Sequence, residues 1–226
     1  METQTSSAPV VEQPAIQQTI LDQMNWRYAV KKFDQTKKLT EDQIHFLLES
    51  TDLSATSFGL QPYRVLLIEN SEVRAKLSPA AYHQSQITEA SHLVLFAAST
   101  NLDDAYVDRF VDLIAKTRNI PHESLHEYAG AMKHHVSSKD LAARISWSAR
   151  QAYIGLGTLL ETAALLHIDA CPMEGFNAEE FDTILDLRSK NLTTLAVVAL
   201  GYRSENDSFQ HYKKVRLPLE EFVHRL

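Results

Sequence analysis

Two short basic segments lie near opposite ends of this 226-residue chain, Arg27-Tyr28-Ala29-Val30-Lys31-Lys32-Phe33-Asp34 and Lys213-Lys214-Val215-Arg216. They stand out because the chain as a whole is acidic, with 22 Lys and Arg against 29 Asp and Glu and a formal net charge of -7. A forked guanidinium beside an ammonium is the donor set that a phosphate monoester asks for. Arg27 and Lys31 are four residues apart and share a face if the first helix continues through them. Lys214 and Arg216 alternate in strand fashion and so fall on one side. The plainer readings are a solvated helix end, where cations favour the dipole, and a solvated basic tail.

Two further segments carry polar groups between elements. Ala55-Thr56-Ser57-Phe58-Gly59-Leu60-Gln61-Pro62-Tyr63 reads as a helix-to-strand loop with hydroxyls, an amide and a fixed turn, of the kind that commonly binds a ligand. Cys171-Pro172-Met173-Glu174-Gly175-Phe176 reads as a short link from a long helix to the next one, with backbone N–H groups exposed. A different chemistry is spelled by His122-Glu123-Ser124-Leu125-His126, which matches the H-E-x-x-H zinc motif. Its usual extension fails, with Ala129 and Met132 at the expected Gly and His positions, so a chance match is favoured and no metal is expected. Cys171, the one cysteine, has no partner histidine set beside it by sequence and reads as a small buried hydrophobe.

The elements that must position these groups follow from pattern. Residues 1–13 are mostly small or polar and read as a flexible arm, with 14–226 as a single domain. Pro14, Ile16, Ile20, Leu21 and Met24 predict a helix to about Trp26. Thr40 with Gln43 forms a capping box for a helix ending near Leu53, and Ser71 to about Leu77 is helical. Arg64–Glu69, His92–Ala98 and Leu192–Tyr202 are strands. Ser138 is expected to cap a long core helix through Leu141, Ile145, Ala152, Leu156, Leu159 and Ala163. Gly155 and Gly157 inside it predict the close approach of another backbone, from the same subunit or across a dimer. Asn177 with Glu180 opens a last short helix.

Composition narrows the function. With 23% charged and 44% hydrophobic residues the chain is that of an ordinary folded protein. The acidic balance argues against a nucleic-acid partner, and the charges in the long helix argue against a membrane span. A single cysteine and a charge-poor, apolar-poor start predict a cytoplasmic location. Six scattered glycines cannot build a Rossmann or P-loop phosphate cradle.

In order and spacing, these segments resemble the nitroreductase family of FMN-dependent NAD(P)H oxidoreductases, which reduce nitroaromatics and quinones. The resemblance runs from about Thr19 to the C-terminus. It is carried by Arg27–Asp34, Ser57–Tyr63, Gln84-Ser85-Gln86-Ile87-Thr88-Glu89-Ala90-Ser91-His92, Pro172–Phe176 and Lys214-Val215-Arg216-Leu217-Pro218. It implies an α+β nitroreductase-like fold, a central mixed or antiparallel sheet flanked by helices, completed by dimerisation. Two FMN sites would lie at the subunit interface of the homodimer. Carried over, Arg27, Tyr28, Ala29 and Lys31 would meet the flavin from phosphate to ring, and Lys214 and Arg216 would close on the phosphate. Thr56, Ser57 and Gly59 would come from the other subunit. His83 and Gln86 would contact the ring, with the backbone of Pro172, Met173, Glu174 and Gly175 near N5, while Tyr82 and Met132 would border the pocket for small aromatic or quinone acceptors. Ala29 departs from the Ser of many members, and His83 from a common Asn. The implied chemistry is two-electron and ping-pong, with NADPH or NADH as donor, and it needs no catalytic side chain. The alternatives are a flavin-dependent reductive dehalogenase or flavin-binding module of the same fold and, more distantly, a zinc hydrolase using His122, Glu123 and His126.

Overall fold

A computed structural model describes residues 13–226. The arm expected over residues 1–13 therefore lies outside the described residues except for Gln13, which begins a helix. Four strands, β1 (Tyr63–Ile68), β2 (His92–Ser99), β3 (Asp169–Met173) and β4 (Leu192–Gly201), form one sheet in the order β1-β2-β4-β3 with every pair antiparallel. Helices α1 (Gln13–Trp26), α2 (Glu41–Asp52), α3 (Ser71–Ala80), α4 (Gln86–Glu89), α5 (Asp104–Arg118), α6 (His126–Ser137), α7 (Leu141–Leu165), α8 (Ala178–Ile184) and α9 (Leu219–Phe222) surround it. The fold is α+β, and no helix among the described residues is long and apolar enough to cross a membrane.

Both faces of the sheet are covered, which is why β2 is apolar almost throughout rather than alternating. Leu93, Leu95 and Ala97 of β2 join Val197 and Ala199 of β4 in a core under α3, α4 and α8, where Leu77, Ile87 and Phe181 are fully buried. Val94 and Phe96 point the other way and join Ala196, Val198 and Leu200 against Leu47 of α2 and Leu159 and Ala163 of α7. The two sets differ by one residue because side chains alternate along a strand. A third cluster, Leu102, Val111, Met132 and Trp147 among others, ties α5 and α6 to the start of α7.

The local expectations for α1, α2, α3, α8, β1, β2 and β4 are met within a few residues, and the Thr40–Gln43 capping box forms in both directions. Three differ. The long helix is capped by Asp140, whose carboxylate accepts from the Ala143 N–H, while Ser138 closes the helix before it. The segment from Cys171 to Phe176, expected as a link, begins inside the edge strand β3, where Pro172 costs little because an edge leaves one row of N–H groups unpaired. Gly155 does receive a close neighbour, but a side chain of the same chain: an added Cβ would stand 2.5 Å from the Tyr63 hydroxyl, whereas one at Gly157 would meet nothing within 4 Å.

Candidate active site

Helix α1 stops at Trp26, so Arg27 and Lys31 do not share a helical face; the chain turns and runs along the sheet edge instead. Ala29 bridges Ala170 of β3 in parallel fashion and Phe33 bridges Arg203 just beyond β4. The Ser204 N–H donates to the Lys32 carbonyl at 2.9 Å and the Asp34 N–H to the Tyr202 carbonyl at 2.8 Å. Edge pairing thus lays the first basic segment beside the exit of β4, from which the second departs.

Buried polar groups lock this junction. Arg203 donates to Asp169 through Nε at 2.8 Å and a terminal nitrogen at 2.6 Å, and its guanidinium lies 4.2 Å from the Trp26 ring centroid and 4.6 Å from that of Tyr28. Asp207 accepts from the N–H groups of Lys31, Lys32 and Phe209 and from the Tyr28 hydroxyl. Burial and the neighbouring Asp207 carboxylate push the Tyr28 phenol far above its ordinary pKa. Sequence reasoning singled out none of Asp169, Arg203 and Asp207: Asp169 opens β3, and Arg203 and Asp207 lie in a polar turn just after β4. For Arg203 and Asp207 the local signal is a charged cluster just after an apolar run; Asp169 has none.

The result is a cavity of about 370 Å³ lined by Trp26, Arg27, Lys31, Phe209, Lys214 and Arg216, among others. Lys214 does not alternate with Arg216 on a strand, because residues 213–218 form no ladder; its ammonium donates to the carbonyls of Met24 and Arg27 at the C-terminal end of α1. Among the described residues none of Arg27, Lys31, Lys214 and Arg216 forms an ion pair with a carboxylate. Burial, then the adjacent Arg216, lowers the Arg27 pKa, and burial followed by Arg27 and Arg216 lowers that of Lys214. Arg27 Nε is moreover buried without a hydrogen-bond partner. Crowded cations and an orphaned donor in one cleft are what a dianionic phosphate would satisfy, so the donor set fits the phosphate end of FMN.

A second group adjoins the cleft. The Ser85 hydroxyl donates to the Lys31 carbonyl at 3.3 Å, and the Gln84 amide donates to the Gly175 carbonyl at 2.7 Å. Residues 82–86 are thereby brought against residues 172–175 at the end of β3. Tyr82 and His83 take consecutive positive φ values of 54° and 55°, a backbone state costly for residues with a Cβ and one that clusters at binding sites. Both side chains are exposed. Gln86 is buried with its amide nitrogen 4.0 Å from the Cys171 sulfur, and burial pushes that thiol up in pKa. The buried Arg74 guanidinium, another residue that the sequence did not mark, donates to the carbonyls of Ile87, Ala90 and Ser91 and so closes the end of α4 beneath this loop. Tyr153 of α7 donates to the Glu174 carboxylate at 2.7 Å; burial, then this contact, raises its pKa to about 12.

Thr56, Ser57 and Gly59 are not part of that assembly. The Ser57 N–H donates to Gln151 of α7 at 2.8 Å, and Tyr128 of α6 donates to the Phe58 carbonyl at 2.8 Å. Phe58 and Gly59 both have positive φ, so this loop is a sharp, doubly clamped corner. Gln151 and Tyr153 lie about 200° apart around a helix of 3.6 residues per turn. The helix α7 therefore stands between Ser57 and Glu174. Met132 is 0% exposed within the third core cluster and does not line a surface. His122 begins a 3₁₀ turn, its Nε2 stands 3.2 Å from Asp112, and its ring centroid is 6.3 Å from that of His126. No group of three or more His, Cys, Asp or Glu among the described residues could hold a metal ion.

Comparison with known proteins gives the family. Residues 24–202 match the model of the nitroreductase family. A Staphylococcus haemolyticus protein named "Putative NAD(P)H nitroreductase" is 33% identical over 218 residues, 92% of this chain and 98% of its own. One of the same name from Staphylococcus saprophyticus is 36% identical over 199 residues, 83% of this chain and 90% of its own. Among solved structures, a Bacillus subtilis protein described as a putative nitroreductase superposes with a TM-score of 0.81 at 19% identity, covering 93% of this chain and all of that one. Another, from Exiguobacterium sibiricum and determined in complex with FMN, gives 0.78 at 18% identity over 92% of this chain and 97% of its own. The chain belongs to the nitroreductase family and is an oxidoreductase of that type.

Proposed function

We propose that this chain is an FMN-dependent oxidoreductase of the cytoplasm that draws on NADPH or NADH and passes two electrons to small acceptors such as nitroaromatics or quinones. The observation that carries the cofactor assignment is the convergence of Arg27, Lys31, Lys214 and Arg216 on one cleft without a carboxylate partner. The names of the staphylococcal relatives and the FMN complex of the Exiguobacterium structure support the same reading. When bound, FMN supplies the two-electron exchange. The chain's own residues hold and orient it: the four cations neutralise the phosphate, and the tied segments 82–86 and 172–175 present backbone and amide groups to the ring. Cations near the pyrimidine side would favour the reduced, anionic form.

The working unit is proposed to be a homodimer. Ser57 lies behind α7 from the cleft in its own chain, so a second copy is the source of a Ser57 that meets the flavin. The C-terminal arm also leaves Val215, Leu217, Leu219 and Phe222 exposed, a run of apolar groups suited to cover by a partner. The purified protein tests the reading. It is expected to be yellow or to turn yellow with added FMN, to bleach under NADPH or NADH without oxygen, and to recover its colour with a quinone. A protein that takes up no FMN overturns it.

A further inference from the structure

We propose that Asp207 is a positioning residue of the phosphate cradle: alongside the direct contact of Lys214 with the Met24 and Arg27 carbonyls, it fixes the turn that carries Lys31 against the root of the C-terminal basic segment. The assignment rests on the FMN reading above and deepens it. The two segments are more than 170 residues apart in sequence, and Asp207, six residues before the second, reaches across to the first. One carboxylate oxygen accepts from the Lys31 N–H at 2.7 Å, the Lys32 N–H at 3.2 Å and the Tyr28 hydroxyl at 3.1 Å; the other accepts from the Phe209 N–H at 3.0 Å.

Asp207 is 1% exposed, and among the described residues no lysine or arginine pairs with it. A buried carboxylate without a cation is costly unless donors surround it, and here four do. Burial alone would raise its pKa, but the hydrogen bonds from Lys31, Phe209, Lys32 and Tyr28 outweigh that and hold the carboxyl below its ordinary value. The sheet does not need this residue: Val30, Asp34 and Ser204 are anchored by backbone hydrogen bonds of their own. What depends on Asp207 is where the turn carrying Lys31 sits relative to the root of the arm carrying Lys214 and Arg216. Its function is therefore exerted through those cations, and it falls on the phosphate end of the ligand.

An amide cannot replace the carboxylate. Four donors point at Asp207, and Asn offers one acceptor oxygen and one donor nitrogen, so at least one contact becomes donor against donor. The test is the affinity of FMN and of riboflavin, which lacks the phosphate, for wild type, Asp207→Asn and Asp207→Glu, read from the change in flavin fluorescence. Asp207→Asn is expected to lower FMN affinity by about tenfold, the scale of one charge-assisted contact, with riboflavin nearly unchanged. Asp207→Glu, which keeps four acceptor sites on a longer stem, is expected to recover part of the loss. FMN affinity unchanged in Asp207→Asn, or FMN and riboflavin weakened in equal proportion as for a merely structural residue, overturns the assignment. Should Asp207→Asn not fold, Tyr28→Phe removes one of the four donors, and a fall of a few fold in the FMN-to-riboflavin ratio replaces the test; an unchanged ratio overturns it. A wild-type protein that binds riboflavin as tightly as FMN defeats the reading of the cradle itself, before any variant is made.

Discussion

The cleft around Arg27 and the histidine pair at His122 and His126 are both clusters of chemically capable side chains, and they arise in opposite ways. The histidines are neighbours because they are four residues apart. Among the described residues the charged group set against them is Asp112, 3.2 Å from His122 at the surface, and the pair straddles a change from 3₁₀ to α geometry. The cations of the cleft are brought from the two ends of the chain by edge pairing, and buried Asp169 and Asp207 are spent on backbone and on Arg203, not on the cations themselves. The difference teaches that unbalanced charge collected over a long sequence distance marks a site better than a short motif does.

The comparison can be broken most forcefully at the junction that makes the cleft. Arg203→Met should destabilise the protein by about 3 kcal/mol, because it strips the buried Asp169 of its cation and removes the guanidinium packed on Trp26 and Tyr28. Urea unfolding measures this, and a loss under about 1 kcal/mol would show that the junction is held mainly by its backbone pairing. Next in size are the cations themselves. Arg27→Ala or Arg216→Ala should weaken FMN binding by about ten- to a hundredfold, on the order of 1.5 to 3 kcal/mol, with little change in unfolding. Flavin retained through extensive dialysis of both variants would mean that the phosphate lies elsewhere. At the other extreme, His122→Ala should alter stability by no more than about 0.5 kcal/mol, as expected for an exposed pair, and leave FMN affinity as it was. Metal analysis sharpens the contrast: bound zinc that disappears in His122→Ala would make the local motif the functional one after all.

Much of the framework was legible in the residues alone, for local reasons. Thr40 and Gln43 close a capping box because both groups lie within one turn, and β2 and β4 are short apolar runs containing β-branched and aromatic residues that suit a buried strand. The basic segments, the corner at residues 56–59 and the turn after β3 could be picked out by composition, and resemblance to a family gave them a common ligand. Other features depended on neighbours far along the chain. Strand β3 contains Pro172 and few strand formers, and it is a strand because β4 offers it an edge. Gly155 is glycine because the Tyr63 hydroxyl comes within 2.5 Å of where a Cβ would stand. Met132, which the family resemblance placed beside the acceptor, is turned into a core by α5 and α7. Asp207 is marked in its own segment only by the charged turn around it; its role comes from residues 28–32, which the fold lays across it. Caps and periodicity are settled within a few residues of sequence, whereas burial, convergence and the pairing of charge are settled by which surfaces meet, and here they put the cations of two distant segments into one cleft.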